Sequence, residues 1–293
     1  MTALTRPETA SVFPAGVTTK NIDYTSHSSL VSALQGQDIL IITMSVMAPP
    51  DQEPALIRAA AEAGIKWIMP NEWGNDYGNP ALAKDLPIFA QRVDKIHKLI
   101  EDLGVSSWLV VTSGFWYEFS LAGTEWRYGF DIKERKVTFY SDGTQRINTT
   151  TWPQIGRALA ALLSFKILPD DENDKSEAVI SKFKNKRCYI SSFLVNQKDM
   201  WESLMRVTGT KESDWTVKYE DVEERYKRGI EMLQKGDRTG FGIAMYARDF
   251  FPDGSGAYET TRGLSNELLG LPKENLDEFA KIAVDRVNTI GPY

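Results

Sequence analysis

Hydrophobic residues come in short stretches along the first half of the chain, and their spacing changes from one stretch to the next. TALTRP at 2–7 reads as the end of a β-strand that delivers an arginine to a loop. VTTKNID at 17–23 is a short β-branched run, which suits a strand. SHSSLVSALQG follows with helical spacing, a serine at its start and a glycine at its end. DILIITMS at 38–45 predicts a strand buried on both faces. QEPALIRAAAEAGI at 52–65 is alanine-rich and closes on glycine, so it predicts a helix. KWIMP at 66–70 is the next strand, IFAQRVDKIHKLIEDLG at 88–104 an amphipathic helix, and SSWLVVTSGF at 106–115 another strand. Strands and helices that alternate through short connections predict a parallel sheet covered by helices, and right-handed crossovers make it doubly wound.

The pattern loosens after residue 125. RYGFDIKERKVTFYSDGTQRINTT carries hairpin signals, including Asp142–Gly143 between alternating runs. TTWPQIGRALAALLS at 150–164 predicts a helix, with threonine and proline at its start. RCYISSFLV at 187–195 reads as one strand. NQKDMWESLMRVTG at 196–209 predicts a helix capped by Asn196 and ended by Gly209. YEDVEERYKRGIEMLQKG and LPKENLDEFAKIAVDRV are further helices. The expected organisation is an α/β, doubly wound parallel domain over 1–165. A smaller α+β substrate or lid domain covers 166–293, interleaved with the first.

Composition narrows the function classes. With 293 residues, 42% hydrophobic and 25% charged, the chain is long enough for one large or two joined globular domains. A net charge of −6 argues against a nucleic-acid partner. The one cationic cluster, KFKNKR at 182–187, follows the acidic run PDDENDK and reads as a solvated face. One cysteine, Cys188, excludes an intrachain disulfide and fits a reducing compartment. Two histidines, His27 and His97, leave almost no ligands for a structural zinc. The longest apolar run, ILIITMSVMA at 39–48, is about half a membrane span and too far along the chain for a signal peptide. The expectation is a cytoplasmic protein with a small-molecule substrate, no metal and no membrane. A homodimer is among the states the sequence allows.

Several chemistries are absent from the sequence. No tyrosine is followed four residues on by lysine, and there is no G-x-S-x-G elbow and no Walker loop. The glycine pairs Gly240/Gly242 and Gly254/Gly256 read as turns, because neither follows a strand and opens a helix in the N-terminal sheet. Arg6 is more informative. In a dinucleotide-binding sheet the second strand ends at the adenosine ribose, where an arginine suits the 2′-phosphate of NADP through bidentate, charge-assisted bonds. The other reading of Arg6 is an ordinary exposed arginine near a frayed terminus.

The series TALTRPE, GVTTKNIDY, MPNEWG and GFWYEFSLAG resembles the NmrA-like, isoflavone-reductase-like proteins, atypical relatives of the short-chain dehydrogenases. The resemblance runs from residue 1 to about 165 and more loosely beyond. It implies a Rossmann domain with a smaller C-terminal substrate domain, and NADPH as cofactor with Arg6 on its 2′-phosphate. Thr43–Ser45 and Pro70–Gly74, with Thr43, Ser45, Pro70 and Asn71 foremost, would border the nicotinamide and substrate. Trp73, Phe115, Trp116 and Tyr117 would line the substrate pocket.

Two departures from the family pattern stand out. The family's opening strand and its G-x-x-G-x-x-G turn are not in this sequence, which reads as if it began roughly one βα unit late. That puts the grip on the cofactor diphosphate in question. The family's catalytic lysine falls at Val93, flanked by Arg92 and Lys95, which point elsewhere around the helix. Glu72 remains as a candidate acid/base, or else a carboxylate held in an ion pair at a helix start. His97 reads as a surface residue, and Cys188 as buried and inert. The functional expectation is an NADPH-dependent oxidoreductase for a small aromatic or polyketide-type metabolite of fungal secondary metabolism. The alternatives are a non-catalytic redox-sensing regulator and a non-redox isomerase or cyclase.

Overall fold

A computed structural model describes residues 1–9, 11–45 and 48–293. Val46 and Met47, at the end of the long apolar run, lie outside the described residues. In chain order the elements are β1 (Thr2–Thr5), β2 (Thr18–Asn21), α1 (His27–Leu34), β3 (Ile39–Ile41), α2 (Gln52–Glu62), β4 (Trp67–Met69), α3 (Pro80–Asp85) and α4 (Pro87–Asp102). Next come β5 (Ser107–Thr112), β6 (Phe115–Trp116), α5 (Tyr117–Leu121), β7 (Phe130–Asp131), β8 (Lys136–Tyr140), β9 (Ile147–Thr150) and α6 (Trp152–Leu163). The remainder is β10 (Lys186–Tyr189), β11 (Phe193–Val195), α7 (Gln197–Thr208), β12 (Thr216–Glu220), α8 (Val222–Gln234), α9 (Thr239–Asp249), α10 (Glu259–Arg262) and α11 (Leu276–Thr289).

The chain divides into two compact units. The first comprises 1–72, 91–110 and 183–187, and the second comprises 73–90, 111–182 and 188–293. In the first, β1 pairs with β2 in parallel, Thr2 opposite Thr18. A separate four-stranded sheet has the order β10-β5-β4-β3, with β3, β4 and β5 parallel. The alternation of strand and helix is thus as the hydrophobic pattern predicts. The strand predicted over 38–45 is shorter: β3 covers Ile39–Ile41, and only its central Leu40 is buried. Leu30, Ile57, Ala59, Ile68 and Ile100 form the aliphatic core, all essentially inaccessible to solvent.

The second unit holds two three-stranded sheets, β11-β9-β6 and β12-β8-β7. Three sequence expectations fail here for identifiable reasons. Asp142–Gly143 does not join a hairpin, since β8 and β9 lie in different sheets. Asp142 instead accepts from the Thr144 backbone and hydroxyl in a local turn, and Gly143 at φ +75° lies over the Phe139 ring. The hairpin is β7–β8, closed through Ile132–Arg135 with Arg135 at φ +50°. RCYISSFLV is two strands, β10 and β11, broken at Ser191–Ser192. There the Ser191 backbone N–H donates to Asn266 and its hydroxyl to the Phe193 carbonyl.

Gly240 and Gly242 are the third case. Both lie inside α9 rather than in a turn. A side chain on Gly240 would strike the Gly229 carbonyl of α8 and come within 2.6 Å of Met232 Cβ. A side chain on Gly229 would in turn come within 2.6 Å of the Ala244 backbone nitrogen. The glycines let two helix backbones touch.

Candidate functional site

In the first unit the strand ends carry the candidate cofactor residues. Arg6 follows β1 directly. Its side chain is 65% exposed, with its nearest acid, Glu8, at 3.9 Å. The Tyr24 hydroxyl is raised by burial, and the Arg6 charge pulls it partly back, which puts the guanidinium in that neighbourhood. Thr43 and Ser45, just beyond β3, are exposed. Pro70 is buried at the end of β4.

Asn71 clasps the two strand ends together. Its side-chain oxygen accepts from the Met44 backbone N–H at 3.0 Å, and its amide donates to the Met44 carbonyl at 3.1 Å. Its own backbone N–H donates to Glu53 Oε1 at 2.7 Å. Glu53 is a buried acid in the first turn of α2, where the helix dipole favours a negative charge. The other Glu53 oxygen takes Arg92 at 2.7 Å. Arg92 is therefore committed to a structural pair. Val93 next to it is partly buried on α4.

Glu72 is not a free carboxylate. Its Oε2 lies 3.0 Å from His97 Nε2, and its Oε1 pairs with Arg187. The Glu72 side chain is 5% exposed and Arg187 9%. His97, expected at the surface, stacks on Trp108 with ring centroids 3.8 Å apart and planes within 7°. Arg187, the last residue of the KFKNKR cluster, is turned inward rather than solvated. A buried acid between two cationic or hydrogen-bonding partners is stabilised only as a set. This geometry makes Glu72 the hub of an ionic clamp on α4, β5 and β10.

The second unit receives the candidate substrate residues. Phe115 is buried in β6 and stacks on Tyr246 at 3.9 Å. Tyr117 is fully buried against Phe193, and burial drives its hydroxyl far above its ordinary pKa. Both therefore build the core of this unit. Trp116 points the other way, into a partly exposed aromatic group with Phe119 and Trp152. Its indole N–H donates to the Trp73 carbonyl at 2.9 Å.

Sequence reasoning missed the two polar residues that follow in the same loop. Asn75 donates to Asp249 at 3.0 Å, both buried, with Asp249 pushed up to about 8 by burial. Asp76 accepts from Tyr189, Arg262 and the Gly78 backbone while wholly inside. The side-chain partners lie more than 100 residues away in sequence, so no local spacing announces them. The only clue is a carboxylate in the apolar setting of ARDFF. Cys188 is buried, and burial raises its thiol to about 11, as an inert cysteine requires. No group of three or more metal-ligating side chains occurs among the described residues. No helix among them is long and apolar enough to cross a membrane.

Residues 2–125 match the NmrA-like family. Oxidoreductase aprR of Aspergillus flavus is 29% identical over 290 residues, covering 95% of this chain and 88% of that protein. A crystal structure of isoflavone reductase superposes with a TM-score of 0.68 at 18% identity, over 95% of this chain and 89% of that one. A leucoanthocyanidin reductase–NADPH complex from Vitis vinifera superposes at 0.66 and 16% identity, over 92% and 86%. Likeness at such identity establishes the fold. The chain shares the Rossmann-type α/β fold of these reductases, including a C-terminal part.

Proposed function

We propose that the protein is an NADPH-dependent oxidoreductase acting on a small aromatic or polyketide-type metabolite. The observation that carries this reading is the match to an oxidoreductase over nearly the whole chain, together with a reductase fold. The name of one fold neighbour includes NADPH, which supports the cofactor.

The residues fit that cofactor at one end. Arg6 is exposed, loosely paired and placed at a strand end, as a 2′-phosphate partner needs to be. Thr43 and Ser45 present themselves at the next strand end. Asn71 spends its amide on Met44, so its part is to fix the two strand ends rather than to bond a ligand. The diphosphate is less well served. No helix begins between β1 and β2 among the described residues, and the first turn of α2 carries Glu53. The reduced nicotinamide, when bound, supplies hydride. Trp116 offers the accessible aromatic face for a flat substrate.

The test is absorbance at 340 nm with NADPH and a panel of quinones and aryl ketones. Substrate-dependent loss of absorbance is expected. Arg6→Ala is expected to weaken NADPH binding roughly 10-fold or more while leaving NADH binding unchanged. Equal weakening of both would refute the role of Arg6. Absence of NADPH binding and turnover across the panel would refute the function.

A further inference from the structure

The strand that delivers Arg6 has one neighbour, β2, and the end of that pair carries a second unspent group. Thr5 lies opposite Asn21, and the Ile22 N–H still donates to the Thr5 carbonyl at 2.8 Å. In a parallel ladder the Ile22 carbonyl would next take the N–H of residue 7. That residue is Pro7, which has none, so the ladder ends there.

Side chains alternate across strands. With Thr5 opposite Asn21, Leu4 and Arg6 share one face with Lys20, Ile22 and Tyr24. Leu4, Ile22 and Tyr24 all pack on the aliphatic core of the first unit, as a shared face requires. Tyr24 is half-buried, and its hydroxyl has no hydrogen-bond partner among the described residues. Burial keeps that hydroxyl protonated, so it is a donor, and the Arg6 charge acts on it. The remaining charged groups are spent or loosely held. Lys20 shares the face but donates to the Ala33 carbonyl at 2.9 Å. Asp23 falls on the other face and accepts from the Thr25 N–H and hydroxyl at 2.8 and 2.7 Å. Glu8 comes no nearer to Arg6 than 3.9 Å.

We propose that Tyr24 completes the 2′-phosphate site of NADPH, its hydroxyl donating to the same phosphate that the Arg6 guanidinium pairs with. The proposal rests on NADPH as the cofactor. A phosphate monoester presents three strong acceptor oxygens, and one guanidinium fork engages two of them. The third calls for a further donor, and the Tyr24 hydroxyl is the one this face leaves without a partner.

The experiment is calorimetric titration of the full chain with 2′,5′-ADP and with 5′-AMP, which differ only in the 2′-phosphate. The unaltered chain is expected to prefer 2′,5′-ADP by roughly 10-fold or more. Tyr24→Phe keeps the ring on the core and removes the oxygen. It is expected to weaken 2′,5′-ADP roughly 5- to 20-fold and leave 5′-AMP unchanged. Because the hydroxyl has no partner inside the protein, the urea midpoint of Tyr24→Phe is expected to match that of the unaltered chain. A preference that Arg6→Ala removes but Tyr24→Phe leaves intact overturns the role of Tyr24 and spares the cofactor. No preference for 2′,5′-ADP in the unaltered chain overturns both. A Tyr24→Phe variant that loses stability along with affinity, or weakens the two nucleotides alike, makes the hydroxyl structural and also overturns the proposal.

Discussion

In the first unit the core is Leu30, Ile57, Ala59, Ile68 and Ile100, which carry no polar atom beyond the backbone. In the second it is Phe115, Tyr117, Tyr128, Phe130, Tyr246 and Phe250, and several of these bring a hydroxyl inside. Tyr246 shares a bond with Ser120 at 2.8 Å, and Tyr128 one with Thr149 at 2.9 Å. An aliphatic core asks only for shape. An aromatic core with phenols also asks for hydrogen-bond partners, as Ser120, 126 residues from Tyr246, supplies one. The second unit is therefore the more sharply specified of the two, and the more easily damaged.

The largest expected effect follows from that contrast. Phe115 is stacked on Tyr246 and edge-on to Tyr128. Phe115→Ala is expected to cost about 3–5 kcal/mol by denaturant midpoint. Ile57→Val, an aliphatic trim in the first unit, is expected to cost only about 0.5–1.5 kcal/mol. A Phe115→Ala loss no larger than that of Ile57→Val would erase the distinction between the two cores.

The first unit has one polar centre of comparable weight, the Glu72 clamp. Arg187→Ala leaves Glu72 with His97 alone in a buried position and is expected to cost about 3 kcal/mol. Adding Glu72→Gln should recover much of the loss, since the uncompensated charge is then gone. If Glu72→Gln instead abolishes turnover while stability holds, Glu72 is a catalytic group and the clamp reading fails.

These two tests also mark where the sequence could be read and where it could not. β2, α1, β4, α4 and β5 follow from hydrophobic period and local caps, because each element satisfies its own backbone and needs only one apolar face. So do α6, α7 and the glycine stop at Gly209, with φ +66°. The Asp142–Gly143 turn was legible as a turn, but its partner strands depend on which sheet each joins, and that is decided far along the chain. Gly240 was read as a turn and lies inside α9 instead, because the reason for it lies on α8. Of the residues around Glu72, the partners were not legible. His97 lies 25 residues away from it and Arg187 more than 100, so only folding brings them together.

A pH series separates the units further. Asp249 is buried in the second unit, and burial raises it to about 8 against 3.8 ordinarily, with Arg248 pulling the other way. Between those values the folded chain holds a proton that the unfolded chain has released. Stability from this group is therefore full below pH about 4, falls as pH rises toward 8, and is flat above. The slope is about 1.4 kcal/mol per pH unit for one proton. Asp249→Asn keeps an oxygen for Asn75 and should flatten the profile measured by urea unfolding from pH 5 to 8. An unchanged slope in the variant would mean that another group titrates.

The smallest test compares two helix starts that the sequence announced equally well. Ser26 caps α1 through one bond, to the Ser29 N–H at 3.3 Å. Asn196 caps α7 in both directions: its side chain accepts from the Asp199 N–H at 2.8 Å, and Asp199 returns a bond to the Asn196 N–H at 3.1 Å. The single bond is long and its surroundings are exposed, so Ser26→Ala is expected to cost about 0.5 kcal/mol. Asn196→Ala removes one half of a reciprocal pair beside Met200, which is buried in the second unit's core, and is expected to cost about 1–2 kcal/mol. Both are read from thermal or urea midpoints. Equal losses would mean that a cap is worth what its own hydrogen bonds supply, whatever core its helix packs on. An excess at Asn196 beyond its second bond would show the tighter specification of the second unit reaching out to its helix ends.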